Sequence, residues 1–136
     1  MSSKATRPRE HWKDEPEEHD YPAAADYLSL LFPEEAAAMI DGLRRAATIR
    51  RKAKDLMRAG RLELLPADDP EVSKDLKKVE QGERLSPVLL VRGRAGRPLI
   101  VADGYHRICA SYHLDEDADI PCRLVDAPLE ERERRE

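Results

Sequence analysis

The chain has 136 residues, a formal net charge of -4 and a charged fraction of 38%, with only one tryptophan and one phenylalanine. This length suits one domain with some extra elements, and the net negative charge argues against a chain that binds polyanions with its whole surface. No apolar run approaches the ~20 residues of a membrane span, and the N-terminus has no signal-peptide core. We therefore expect a soluble, cytoplasmic protein.

The first sixty residues are predicted to form an arm followed by helices. Residues 1–20 are rich in charge and proline and have no periodicity, which predicts a disordered arm. Apolar residues at near-helical spacing predict a short helix over 21–32. Pro33 starts a second helical pattern that runs to about Ala59 and is closed by Gly60, and its length leads us to expect a break near Gly42 or Thr48.

The second half of this helical region is basic. Over residues 44–61 there are eight cations and a single acid. This excess is typical of a helix face that binds nucleic acid or another polyanion. The alternative is a solvated face that pairs with the acidic stretches 14–20 and 115–119, which the lack of interleaved aromatic residues favours. The candidate polyanion contacts on this basic helix 44–61 are Arg50, Arg51 and Lys54.

From residue 62 onwards, short apolar runs alternate with helical patterns. Leu62 to Leu65 alternate around a glutamate, which predicts a short strand. Asp69 as N-cap and Pro70 as first helical residue predict a helix that ends at Gly82. The other predicted elements are strands over 88–91, 99–102 and 120–125, a hairpin-like link over 93–96 and a helix over 104–113.

This order of elements predicts an α+β fold with a small mixed sheet and flanking helices. Cys109 and Cys122 have neither metal-site nor disulfide-framework spacing, so both are predicted to be buried free thiols. The predicted organisation is a disordered arm over 1–20, a helical segment over 21–60, the sheet domain over 61–126 and a charged tail over 127–136.

The sharpest functional signal lies where the strand 99–102 turns into the next helix. A strand that turns into a helix leaves unpaired backbone N–H groups at the positive end of the helix dipole, which favours an anion. His106 and Arg107 add side-chain donors suited to phosphate. The alternatives are that Asp103 caps the helix and that Arg107 pairs with Asp103 or with the acids 115–119. The predicted phosphate-binding residues are Asp103, Gly104, Tyr105, His106 and Arg107.

The same turn carries a family resemblance. A strand ends at Gly104, Arg107 follows three residues later at a helix start, Ala110 is the small residue within that helix, and Ile120-Pro121 opens the closing strand. In this pattern residues 61–126 resemble the N-terminal domain of ParB-type partition proteins, a fold shared by sulfiredoxins and ParB-related free serine kinases. The resemblance implies a ParB/sulfiredoxin-like sheet that binds ATP or CTP, with Mg²⁺, through the phosphates.

The resemblance has departures that bear on catalysis. Tyr105 stands where sulfiredoxins place a catalytic cysteine and where partition proteins place a glutamate that supports CTP turnover, so neither chemistry is implied. The free serine kinases have a more similar box, and by analogy their phosphoryl transfer requires acids after the first predicted strand. The candidates are Asp68, Asp69 and Glu71. The alternative interpretation of the two aspartates is as caps and loop residues.

Two functions remain open at this point. One is a nucleotide-binding domain, with or without phosphotransferase or NTPase turnover. The other is a non-catalytic regulatory or DNA-associated interaction module that uses the basic helix 44–61. The residues do not decide between them, nor between a monomer and a homodimer.

Overall fold

The computed structural model describes residues 11–129, which form five helices and one four-stranded mixed sheet. The α+β class is confirmed. Within this part of the chain no helix is both long and apolar enough to cross a membrane. The helices are α1 (Asp20–Leu31), α2 (Ala36–Arg45), α3 (Ala53–Gly60), α4 (Pro70–Glu80) and α5 (Tyr105–Leu114); the strands are β1 (Ile49–Lys52), β2 (Val88–Arg92), β3 (Ile100–Asp103) and β4 (Asp119–Asp126).

The sheet has the strand order β1-β4-β2-β3. β2 and β3 form an antiparallel hairpin, while β2 and β4 are parallel and are connected through β3 and α5. β1 pairs antiparallel with β4, so β1 and β3 are the two edges. The turn from β3 into α5 therefore lies at an edge of the sheet.

Helices cover both faces of the sheet, which explains the uninterrupted apolar run of β2. Val88 and Leu90 pack into a core formed with α3, α4 and α5. Leu89 and Val91 face the opposite core, which contains α1 and α2. A strand that is buried on both faces needs apolar residues at every position rather than at alternate ones. Cys109 and Cys122 are buried free thiols, as predicted.

The break expected near Gly42 or Thr48 is present at 46–48, so the prediction of one basic helix over 44–61 is wrong. α2 ends at Arg45, residues 49–52 form the edge strand β1, and α3 starts only at Ala53. The guanidinium of Arg123, on β4, donates to the carbonyls of Leu43 and Arg44 at 3.4 and 2.7 Å. This side chain satisfies the last carbonyls of α2, so the helix ends there and the chain is free to join the sheet.

The predicted strand 62–65 is also wrong, because these residues pair with no strand among residues 11–129. The segment lies along α5 and is held by side chains. Tyr105 Oη donates to the carbonyl of Glu63 at 2.5 Å, and His113 Nε2 lies 2.7 Å from the carbonyl of Leu65. The carbonyls of Glu63 and Leu65 thus have side-chain partners without a strand neighbour.

The predicted disordered arm is corrected for residues 11–20, which are packed; residues 1–10 lie outside the described part of the chain. Trp12 is 2% exposed and belongs to the core, and it forms an isolated bridge with Leu85. Lys13 N donates to the carbonyl of Leu85 at 2.7 Å. A large aromatic surface buried in this way outweighs the polar composition of its neighbours.

Candidate functional site

The turn between β3 and α5 has a backbone that only glycine adopts easily. Gly104 is the N-cap of α5 with φ 118°, and α5 has no side-chain cap. A Cβ at this position would lie 2.8 Å from the Cβ of Val88, so the turn also packs directly onto β2. The N–H groups of the first turn of α5 have no intrahelical acceptor. They form the positive end of the helix dipole, which favours an anion.

A small polar cavity of about 220 Å³ opens in front of this turn. Its other wall is one face of α4, which packs beside α5. We call it the polar cavity; it is lined by Glu71, Lys74, Asp75, Lys78 and residues 103–107. Acidic and basic side chains are therefore mixed around the free N–H groups, an arrangement that suits an anion accompanied by a cation.

Two carboxylates of the polar cavity are partly withdrawn from water. Burial raises the pKa of Asp75 above its ordinary value, against the opposing effect of Arg107 and Lys78. Burial likewise raises the pKa of Asp103, again opposed by Arg107. Both side chains therefore lose their negative charge at higher pH than exposed aspartates do.

Arg107 is the centre of a partly buried ionic network. Its Nη2 atom is 3.1 Å from Asp103 Oδ2 and 3.9 Å from Asp20 Oδ2, and it also donates to the carbonyl of Pro87 at 3.2 Å. Asp20, at the start of α1, is 4% exposed and also accepts from the hydroxyl of Ser86. The alternative interpretation of Arg107, a salt bridge to Asp103, is thus present, while the Nε atom of Arg107 is buried with no partner among residues 11–129.

A second, larger cavity of about 640 Å³ lies on the other side of the same turn. It is bounded by the open edge of β3, the exposed face of α1 and the end of α3, and we call it the apolar cavity. Asp103, Gly104, Tyr105 and His106 line both cavities. The apolar lining includes Tyr27, Leu31, Leu62, Leu99 and Val101.

The five predicted phosphate-binding residues all line the polar cavity, but their side chains have different contacts. His106 lines both cavities and its ring centroid is 5.4 Å from that of Tyr105. The hydroxyl of Tyr105 is engaged with the carbonyl of Glu63, so Tyr105 anchors the 62–65 segment. The absence of a Cβ at Gly104 serves the contact with β2.

The three predicted catalytic acids are not brought together. Glu71 alone of the three lines the polar cavity. Asp69 caps α4, since its Oδ2 accepts from the N–H groups of Glu71 and Val72 at 3.1 Å each. Asp68 does not line the polar cavity and lies in a separate groove along α4 together with Lys77. Asp69 and Asp68 are thus a cap and a loop residue.

Replacement of Asp69 tests its capping role. We expect Asp69→Ala to lower the free energy of unfolding by about 1 kcal/mol, because α4 loses the acceptor for its first N–H groups. Urea unfolding measures the change. Asp68→Ala is the matched control and should change stability by less than about 0.5 kcal/mol. Equal losses in the two variants would contradict the assignment.

The predicted polyanion contacts are dispersed by the break in the helix. Arg50 and Arg51 are exposed on β1, whereas Lys54 lies in the first turn of α3 and pairs with Asp117 at 2.6 Å. Arg44 likewise pairs with Glu18 at 2.6 Å. For these two cations the alternative interpretation holds, since each is paired with one of the acidic stretches 14–20 and 115–119.

Sequence reasoning missed the α4 wall and the buried acid at the start of α1. Glu71, Lys74, Asp75 and Lys78 are spaced by three or four residues, which places them on one helix face. That spacing could have marked a charged face directed at a neighbour. The burial of Asp20 has no comparable signal, because it depends on the packing of residues 11–20.

Comparisons with protein-family models, curated proteins and solved structures find no match for this chain.

Proposed function

We propose that this protein binds a nucleotide across the turn between β3 and α5. The observation that carries the proposal is that the polar cavity and the apolar cavity share the residues 103–106. One ligand that spans the turn then places charged groups on one side and an apolar body on the other. Nucleotides have this composition, whereas inorganic phosphate has only the charged part.

The polar cavity fits the phosphate groups. Free N–H groups at the start of α5 and the ammonium groups of Lys74 and Lys78 supply donors and positive charge. Arg107 adds its guanidinium, although Asp103 already neutralises part of its charge. Glu71 and Asp75 fit a magnesium ion held by one or two carboxylates together with phosphate oxygens.

The apolar cavity fits the base. Tyr27 and Leu31 offer exposed apolar surface from α1, and β3 is an edge strand. The backbone groups on the open edge of β3 would bond to the polar atoms at the rim of a base. The apolar side chains of the cavity would pack against the faces of the base.

The resemblance of residues 61–126 to ParB/sulfiredoxin-like domains supports the same proposal, because those families bind nucleotides at this turn. The chain departs from the resemblance at 62–65, which is not a strand. If turnover follows binding, Glu71 is the acid placed to take part as a base or metal ligand. We propose binding as the function and leave Glu71 as the residue on which a phosphotransferase or NTPase activity would depend.

Calorimetric titration with ATP, CTP, GTP and tripolyphosphate, each with Mg²⁺, tests the proposal. We expect at least one nucleotide to bind more tightly than tripolyphosphate. Replacing both Lys74 and Lys78 by glutamine should weaken nucleotide and tripolyphosphate about tenfold or more, since each lysine offers a charge-assisted contact. Product analysis on the same samples reports turnover.

Two controls locate the ligand. Lys77→Gln removes one charge from the same helix outside the polar cavity and should leave affinity unchanged. Tyr27→Ala with Leu31→Ala should weaken the nucleotide and spare tripolyphosphate. The proposal fails if no nucleotide binds below millimolar concentration, or if Lys77→Gln weakens binding as much as the double lysine variant.

A further inference from the structure

The second open edge of the sheet, β1, is exposed and basic. Ile49 is partly buried, whereas Arg50, Arg51 and Lys52 are exposed. β4 pairs with one side of β1, and no strand among residues 11–129 pairs with the other. An open edge presents unpaired backbone N–H and C=O groups to any extended chain that approaches it.

The register of β1 with β4 shows which groups point outwards. Arg50 is opposite Pro121, which has no N–H to donate. One register step beyond the strand, Ala53 N donates to the carbonyl of Ala118 at 2.9 Å. Because bonded pairs alternate in an antiparallel ladder, Ile49 and Arg51 bond to β4, while the N–H and C=O groups of Arg50 and the N–H group of Lys52 face the open side. The C=O group of Lys52, the N-cap of α3, belongs to that helix.

The side chains at this edge are cationic, and acidic neighbours neutralise only part of their positive charge. Arg51 Nη1 donates to the carbonyl of Arg50 at 3.0 Å, which holds one guanidinium at the open edge. Neither Arg50 nor Arg51 forms an ion pair with another described residue. Lys52 is opposite Asp119, so positive charge is concentrated at the first two cations.

We propose that β1 binds an acidic segment of a partner protein in an extended conformation, which adds a fifth strand to the sheet. Outward backbone groups of Arg50 and Lys52 form the new ladder, and Arg50 and Arg51 select acidic side chains. A second copy of this chain does not fit the same edge, because two β1 strands would oppose arginine to arginine. The inference does not depend on nucleotide binding.

Lys52 allows a precise test of the ladder. Its φ is -69°, the value that proline requires, and Arg51 before it is in a strand. Lys52→Pro therefore fits the backbone and removes one outward N–H, whereas Lys52→Ala removes the charge alone. The probe is a fluorescein-labelled eight-residue peptide of alternating threonine and glutamate, followed by fluorescence anisotropy at low salt.

We expect Lys52→Pro to bind the peptide roughly 3- to 10-fold more weakly than Lys52→Ala, the effect of one hydrogen bond. Arg50→Glu with Arg51→Glu should weaken binding at least about tenfold, and added salt should weaken binding to the unaltered protein. Arg45→Glu with Arg58→Glu makes the same change of net charge at exposed sites off the edge and should have little effect.

A peptide with an N-methylated backbone tests the ladder on the unaltered protein, so the result does not depend on the folding of Lys52→Pro. We expect the methylated peptide not to bind. The proposal is overturned if both peptides bind equally, if Lys52→Pro and Lys52→Ala behave alike, or if the acidic peptide does not bind at all. Tighter binding of a single-stranded oligothymidylate that is insensitive to Lys52→Pro would assign the surface to nucleic acid instead.

Discussion

Replacing Gly104 by alanine is expected to lower the free energy of unfolding by about 3–5 kcal/mol. Two costs combine at this position. An L-residue at φ 118° is strained, which costs about 1–3 kcal/mol. The added Cβ would lie 2.8 Å from the Cβ of Val88 and 3.1 Å from Nη2 of Arg107, so the turn must move, at a similar cost. Urea unfolding of the two proteins measures the sum.

Alanine substitutions at two other glycines distinguish the cost of backbone strain from the cost of steric overlap. Gly82 and Gly96 have φ values of 84° and 76°, with no atom within 4 Å of an added Cβ. Alanine there should cost only about 1–2 kcal/mol, the price of the left-handed backbone alone. In a double-mutant cycle, Val88→Ala should recover part of the loss in Gly104→Ala by removing the nearest methyl groups. Equal losses at Gly82 and Gly104 would contradict a steric role for Val88.

Elements whose cause is local were predictable from the sequence. The apolar run of β2 and the Asp69-Pro70 start of α4 are each encoded within a few residues, and both lie where predicted. The end of α2 is different, because it is satisfied by Arg123, 80 residues from Leu43. Residues 49–52 then become a strand through pairing with β4, and no local pattern in a basic stretch indicates that neighbour.

The candidate site likewise has one part that the local sequence predicts and another part that depends on packing between distant segments. The turn at Asp103-Gly104 was visible because glycine and a following helix are a local signature. What surrounds it was not, since Lys74 and Lys78 reach the turn only through the packing of α4 on α5. The segment 62–65 shows the converse error: its alternation is that of a strand, but its carbonyls bond to side chains of α5.

Arg107→Met is the second change with a large expected effect. The guanidinium lies 3.1 Å from the carboxylate of Asp103 and 3.9 Å from that of the buried Asp20, and the side chains of Arg107 and Asp103 are 17% and 19% exposed. Removing one partner of a fully buried ion pair leaves uncompensated charge and typically costs about 3–5 kcal/mol. Because this pair is only partly buried, we expect a loss below that range but above that of an exposed pair. Arg92→Met is the matched control: its pair with Asp126 is exposed, so the loss should stay below about 1 kcal/mol.

The pH dependence of this loss identifies its cause. Burial raises the folded-state pKa of Asp103, and Arg107 opposes that shift, so the variant should raise it further. A raised folded-state pKa stabilises the protein below the unfolded value of 3.8, and this contribution is lost as pH rises through the folded-state pKa. The deficit of Arg107→Met relative to the unaltered protein should therefore shrink on acidification from neutral pH towards 3.8. Arg107 opposes the rise in the pKa of Asp75 as well, so its removal should raise both pKa values, and the difference between the two proteins reports on Asp103 and Asp75 together.

Adding Asp103→Asn to Arg107→Met removes the stranded charge. We expect this double variant to recover much of the stability lost at neutral pH and to lose the part of the extra pH dependence that comes from Asp103, while the part from Asp75 remains. Nucleotide titration of the double variant then measures what Arg107 contributes to binding apart from folding. A loss of nucleotide affinity in a variant of restored stability would assign Arg107 to the ligand as well as to the fold. A stability loss below about 1 kcal/mol in Arg107→Met would instead show that the partly buried network is not a support of the turn.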